Sequence, residues 1–300
     1  MDREFAMEQR LRDLDPGLHR RFTACVFGLQ HYLSKYRLLF PEYTDHSELH
    51  SLTVIHFCNR LAGDQLDRLN ADELYVLLVS CYLHDSGMGI TMEQYREFCG
   101  QIDFGDYFDT HSRDDAAAVI RDFHHEFSAC FIRKFRALFD IPSEQHLTAV
   151  IQVARGHRKT DLGNPSEYPA DWTVPGGNRI CLPYLAALVR LADEIDVAAD
   201  RNPALLFDIE SLTDQKQILI NRVLLAVKEL EMTETEFILH IHTEDPEILE
   251  NLRRMVWKMQ ATLDECRRVV LERTSYVITQ QQVRAILSGN APETVRKETV

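Results

Sequence analysis

Residues 74–83 read Leu-Tyr-Val-Leu-Leu-Val-Ser-Cys-Tyr-Leu, and this run constrains the fold more than any other feature of the chain. Only Ser80 interrupts it, so a helix built from it is apolar round its whole circumference and has no face to give to water. It is far short of the ~18 residues that span a membrane, so other protein elements must wrap it. Asn70, with Glu73 three residues on, predicts a capping box at its start. At its end stand His84-Asp85-Ser86-Gly87-Met88-Gly89, where two glycines let the chain turn away. The expected centre of the molecule is therefore a buried helix that finishes on two ionisable side chains.

Flanking segments carry helical periodicity. Asp15-Pro16 predicts an N-cap followed by proline at the first helical position, and Leu18, Phe22, Val26, Leu29, Leu33, Tyr36 and Leu39 continue that stripe up to Pro41. A second helix is expected from Thr44 or Asp45, with His50, Val54, Phe57 and Leu61 on one face. Residues 100–111 read as an acidic loop, with helices expected after it over about 112–138, 143–156 and 178–199. The long connection over roughly 158–177, rich in Gly and Pro, has the length of a functional loop such as a lid. Beyond Asn202-Pro203 the character changes. Alternation over 235–243 predicts a strand, and Asp245-Pro246 opens a long amphipathic helix through Val270. The expected organisation is mainly α, with a helical core over 1–203 and a small α+β appendage over 204–300 whose last ten or so residues are frayed.

Net charge narrows the partners. With 33 basic and 47 acidic side chains the formal charge is −14, which repels nucleic-acid phosphates, and no basic run offsets it. General nucleic-acid binding is not expected. Cys25, Cys58, Cys81, Cys99, Cys130, Cys181 and Cys266 are odd in number, lack any Cys-x-x-Cys pair and sit mostly in apolar patterns, as reduced cysteines do. The charged N-terminus has no apolar signal core, so a cytoplasmic location is expected and no membrane association.

Chemistry resides in a series of histidines and aspartates. His50, His84-Asp85, His124, His157 and Asp193 each fall within or at the end of an expected helix, among apolar neighbours. Burying one such group unpaired costs several kcal/mol. Several on successive elements call for a shared partner, and a divalent cation satisfies all of them. Mixed imidazole and carboxylate donors suit Mn, Fe, Co, Ni or Zn better than Ca. Plainer readings exist for each: a core histidine at His50, a helix C-cap at His84, structural or phosphate-binding histidines at His124 and His157, and at Asp193 a surface carboxylate paired with Arg190 or Arg201. His46, four residues before His50, is either a supporting or a solvent-facing residue.

Three contexts in this order, HSLTV at His50, YLHDSGMG at His84-Asp85 and LVRLADEIDVAADR at Asp193, resemble the HD superfamily of metal-dependent phosphohydrolases over most of residues 44–202. The resemblance implies an HD-domain helical bundle with metal ligation by His50, His84, Asp85 and Asp193, Asp85 bridging. In relatives with two metals, two further histidines lie in the interval occupied by His124 and His157. FHHEFSA resembles that family's "HGxxSA", which aligns His124 with the ligand and places His125 where glycine is usual, so His125 stays open as the alternative. The resemblance further implies a metal-dependent phosphohydrolase in which metal-activated water attacks a phosphoester or phosphoanhydride, most naturally of a nucleotide. Asp85 and His84 stand at the centre, and Lys159 and Arg201 are the cations placed to touch substrate. Two other classes share the signature. One is an HD-fold di-iron oxygenase. The other is a nucleotide-sensing or interaction module that keeps its metal site and meets a protein partner, or a second copy, through the appendage.

Overall fold

The computed structural model describes residues 6–198 and 212–287. The buried run forms α4 (Ala71–Leu83), and every residue from Asp72 to Leu83 is buried. Asn70 accepts from the backbone of Asp72 and Glu73 while Glu73 returns the bond to Asn70 N, so both halves of the expected box are made. Around α4 pack α1 (Ala6–Leu14), α2 (Pro16–Leu29), α3 (Glu48–Ala62), α7 (Glu144–Arg155) and α8 (Leu182–Glu194). Outside these lie α5 (Met92–Cys99) and α6 (Ala116–Phe135), the latter against α7 and the turn after α4. The fold is mainly helical, as expected.

Several boundaries differ from the sequence reading. The stripe from Leu18 does not make one helix: α2 stops at Leu29, and Leu33–Leu38 form a 3₁₀ segment, because Leu33 and Tyr36 reach the core equally well at a three-residue period. The next helix starts at Glu48 and not at Thr44 or Asp45. Asp45 instead accepts from Ser47 N and Ser47 Oγ, and Ser47 becomes the cap. Helices α1 and α5 are additional to the expected set.

The long connection is not a free flap. Leu162 and Tyr168 are fully buried, and Arg273 donates to both of their carbonyls. Trp172–Thr173 and Arg179–Ile180 pair as β1 and β2 across a turn in which Gly176 and Gly177 both take positive φ, at 99° and 89°.

The C-terminal part contains α9 (Gln215–Ala226), β3 (Val227–Met232), β4 (Glu236–Ile241), α10 (Pro246–Arg273) and β5 (Gln282–Leu287). The expected strand and long helix are β4 and α10. Strand order is β3-β4-β5, with β3 antiparallel and β5 parallel to β4. A parallel neighbour needs a crossover, and α10 supplies it while packing along α8. The core is continuous through this contact, from Met7 to Ala285. No helix among the described residues is long and apolar enough to cross a membrane.

Candidate metal centre

Five elements, α3, α4, α6, α7 and α8, deliver the ionisable residues to one place. Beyond α4 the chain tightens into a 3₁₀ turn over Ser86–Gly89 that lies against α6, so close that a Cβ on Gly87 would stand 2.3 Å from His124 O. Ser128 Oγ locks this contact, donating to His84 O at 2.6 Å and accepting from Gly87 N at 2.8 Å. Helix α6 breaks its regular geometry at Phe123 (φ −118°, ψ 19°), one residue before His124, a place where helix irregularity re-aims a side chain. At the end of α7, Gly156 allows the approach to α8, since a Cβ there would lie 2.5 Å from Ala186 Cβ.

The resulting geometry is compact. His50 Nε2 lies 3.1 Å from His84 Nε2, 3.6 Å from Asp85 Oδ2 and 3.3 Å from Asp193 Oδ1. His84 Nε2 is 3.4 Å from Asp85 Oδ2 and 4.0 Å from Asp193 Oδ1. On the other side of the same carboxylate, Asp85 Oδ1 stands 3.4 Å from His124 Nε2 and 3.5 Å from His157 Nε2, and those two nitrogens are 2.9 Å apart. Two groups of potential metal ligands result, His50–His84–Asp85 and Asp85–His124–His157, all buried and sharing Asp85. Asp193 borders the first group and is the most open member, with 16% of its side chain exposed.

Hydrogen bonds fix which nitrogen of each ring faces inward. Nδ1 of His84, His124 and His157 donates to the carbonyls of Cys81 (2.9 Å), Arg121 (2.8 Å) and Ala154 (2.6 Å). His50 Nδ1 meets Asp196 Oδ2 at 2.6 Å. A carbonyl can only accept, so in the neutral ring the proton sits on Nδ1 and the Nε2 lone pair points to the common centre. His124 and His157 are both kept neutral by burial, and their lone pairs facing each other at 2.9 Å repel unless a cation lies between them. At the 3.1 Å His50–His84 contact a proton on His84 fills the place an ion would take. Donors ~2.1 Å from one ion are ~3.0 Å apart at right angles and ~3.4 Å apart at tetrahedral angles, so the donor set fits metal ions.

Electrostatics differ between the two sides. Burial raises the Asp85 and Asp193 carboxyls, but the imidazoles, His84 beside Asp85 and His50 beside Asp193, outweigh it and hold both well below the usual range. Burial disfavours charge on His84, yet Asp85 and Asp193 overcome it and push the ring up to about 9. On the far side burial wins. His124 falls well below its ordinary value and His157 falls to about 4.

Comparison with known families agrees with this centre. The chain matches the HD-CE family model over residues 40–273. It belongs to the HD-CE family. No curated protein and no solved structure matches it. The match agrees with the HD-type resemblance read from His50, His84-Asp85 and Asp193, and it runs past Asn202-Pro203 into α10 of this HD-CE chain.

The remaining expected residues divide between the centre and its surroundings. His46 turns inward, with Nε2 4.0 Å from Asp85 Oδ2 and Nδ1 donating to Thr44 O. His125 is buried but points elsewhere: its Nε2 lies 3.7 Å from Glu126, and its Nδ1 has no hydrogen-bond partner among the described residues. Of the two, His124 faces Asp85. Lys159, two residues after His157, is exposed. Arg201 lies outside the described residues. Arg190 does not pair with Asp193. Its guanidinium holds Glu265 and the carbonyls of Gly156, Arg158 and Thr160. Asp196, which holds His50, is missed by the sequence reading; it lies two residues beyond the end of α8, where no helical spacing points to it.

Proposed function

We propose that this HD-CE protein is a metal-dependent phosphohydrolase cleaving a phosphoester or phosphoanhydride bond, with a nucleotide as the substrate class. The observation that carries the reading is Asp85, whose two oxygens face different histidine pairs across a buried centre. In this reading His50, His84, Asp85 and Asp193 hold one divalent ion, and Asp85, His124 and His157 hold a second, drawn from Mn, Fe, Co, Ni and Zn. Ions bound there supply Lewis acidity and a water that ionises near neutral pH.

The chain's own part is preorganisation. Carbonyls of Cys81, Arg121 and Ala154 and the Asp196 carboxylate orient the rings before anything binds, so no reorganisation is left for the reaction. Ser128 fixes the turn that carries Asp85, and Arg190 fixes the loop that carries His157. Basic side chains near the centre offset the chain's acidity toward an anionic substrate; Lys159 and, in the sequence, Arg201 are the expected ones, but Lys159 is exposed to water. Among the described residues no nucleophilic Ser or Cys stands at the centre, which suits attack by water.

A second reading, a nucleotide-sensing module, draws on α10. Lys258 pairs with Glu194 at 2.9 Å, directly after Asp193, and Glu265 pairs with Arg190, so occupancy of the centre has a direct path into the C-terminal part. One experiment separates the readings. Purified protein is loaded with Mn, Co or Ni and incubated anaerobically with a nucleotide panel and with p-nitrophenyl phosphate. Phosphate or nucleoside release under these conditions is expected. Binding without turnover favours sensing, and turnover only with iron and oxygen would replace hydrolysis by an oxygenase reaction.

A further inference from the structure

We infer that Arg158 is the phosphate clamp of this centre, its guanidinium gripping two oxygens of a terminal phosphoryl group. The inference rests on the phosphohydrolase reading and assigns the substrate contact within it.

In a chain with a net charge of −14, a cation without an anionic partner stands out. Four basic side chains surround the end of α7. Arg155 is committed to Glu126 at 2.6 Å and Glu167 at 3.4 Å. Arg190 is committed to Glu265 and the loop carbonyls. Lys159 is exposed to water. Arg158 differs from all three. Its guanidinium has no ion pair or hydrogen bond among the described residues, and its Nε is enclosed without an acceptor. A purely solvated arginine keeps its head group in water, so an enclosed Nε marks a side chain laid inward. Its charge reaches His124 and His125, on the Asp85–His124–His157 side of the centre. Glu194 also feels it, but Glu194 already has Lys258 as its partner.

The position of Arg158 is built. It comes directly after His157, and Arg190 Nη2 donates to the Arg158 carbonyl at 2.6 Å while Nε takes that of Gly156 at 2.7 Å. The loop therefore starts the side chain from a fixed point beside His157. A planar guanidinium with parallel N–H groups matches two oxygens of one phosphate, which a lysine cannot do. A terminal phosphate carries three peripheral oxygens and an internal diester only two. A cation added beyond the two ligand groups therefore selects the terminal phosphate.

The test uses full-length protein loaded with Mn. Binding of inorganic phosphate and of dimethyl phosphate is measured by calorimetry, and metal content by elemental analysis, for wild type, Arg158→Gln, Arg158→Lys and Lys159→Gln. Arg158→Gln is expected to keep its metal and weaken inorganic phosphate roughly 10- to 100-fold, the scale of a lost charge-assisted contact. Arg158→Lys should lose less, Lys159→Gln less still, and dimethyl phosphate should change little in any variant. Unchanged phosphate affinity in Arg158→Gln, or loss of metal together with phosphate, overturns the assignment while leaving the phosphohydrolase reading intact. A wild-type protein that holds Mn and binds neither anion overturns both.

Discussion

Replacing Asp196 by alanine removes the carboxylate that, among the described residues, meets the outer nitrogen of a ligand ring. His50 Nδ1 meets Asp196 Oδ2 at 2.6 Å, and both side chains are buried, so no water replaces the lost oxygen without entering the core. The substitution carries two costs. Leaving a buried N–H without a partner costs about 1–3 kcal/mol. Losing the group that orients a metal ligand lowers metal affinity by roughly 10- to 100-fold. The damage should be confined to the His50–His84–Asp85–Asp193 side, because His124 and His157 take their orientation from Arg121 O and Ala154 O. Calorimetric titration of metal-free protein with Mn should therefore show one weakened phase and one unchanged phase in Asp196→Ala, with Asp196→Asn intermediate because its amide oxygen still accepts. If Asp196→Ala binds Mn as wild type does, the Asp196 carboxylate does not orient His50 for the metal.

Three further outcomes can be checked more briefly. Gly156→Ala places a Cβ 2.5 Å from Ala186 Cβ, so α7 and α8 must part, and urea unfolding should register a loss of about 1–3 kcal/mol together with reduced metal content. Burial raises the Asp72 carboxyl, but bonds from His146 at 2.7 Å and Asn178 at 2.7 Å more than reverse this and hold it below the ordinary range. Its contribution to stability is thus present above pH ~4 and is lost as pH falls through the depressed folded value. In urea titrations wild type and Asp72→Asn should differ at pH 6 and converge in acid once the folded carboxyl is protonated, and a constant difference would contradict the assignment. Stripping metal with chelator should lower the melting temperature, since an ion at about a thousandfold over its dissociation constant stabilises by roughly 4 kcal/mol.

How much of the molecule is legible in the sequence depends on the range of the interaction. Helix α4 is legible because an all-round apolar run admits one environment, and its capping box because both partners lie within three residues. His50, His84-Asp85, His124, His157 and Asp193 are legible as types because ionisable groups amid apolar neighbours need an explanation. Their arrangement is not. It depends on Gly87 against His124 O and on Gly156 against Ala186, contacts between residues some 30 or more positions apart that no local pattern encodes. Arg190 shows the same limit from the other side. Its spacing to Asp193 suggests an ion pair, but three carbonyls of the loop after α7 take the guanidinium inward. The 3₁₀ segment at Leu33–Leu38 reads as α-helix because Leu33, Tyr36 and Leu39 fit a three-residue period as well as a helical one.

The two donor groups are unlike in charge, and in the two-metal reading this predicts an order of filling. Asp85 serves both, but Asp193 and Asp196 lie against His50, with Asp193 reaching His157 more weakly than burial opposes it, whereas His124 feels Arg158. That difference is already visible in the rings themselves. His84 is pushed up to about 9, holding a proton where a cation belongs, while His157 falls to about 4 and stays neutral. Two unit charges 4 Å apart exchange ~4 kcal/mol at an effective dielectric of ~20, and even a quarter of that separates two affinities about fivefold. The first metal equivalent should therefore occupy the His50–His84–Asp85–Asp193 side and displace the proton carried there. Titration of metal-free protein with Co at pH 8, in two buffers of different ionisation enthalpy, should show proton release confined to the first equivalent. In Asp193→Ala the two phases should draw together, because the side that filled first has lost a carboxylate. Proton release in the second equivalent, or an Asp193→Ala protein whose first phase is unchanged, would mean that the charge asymmetry does not govern metal binding.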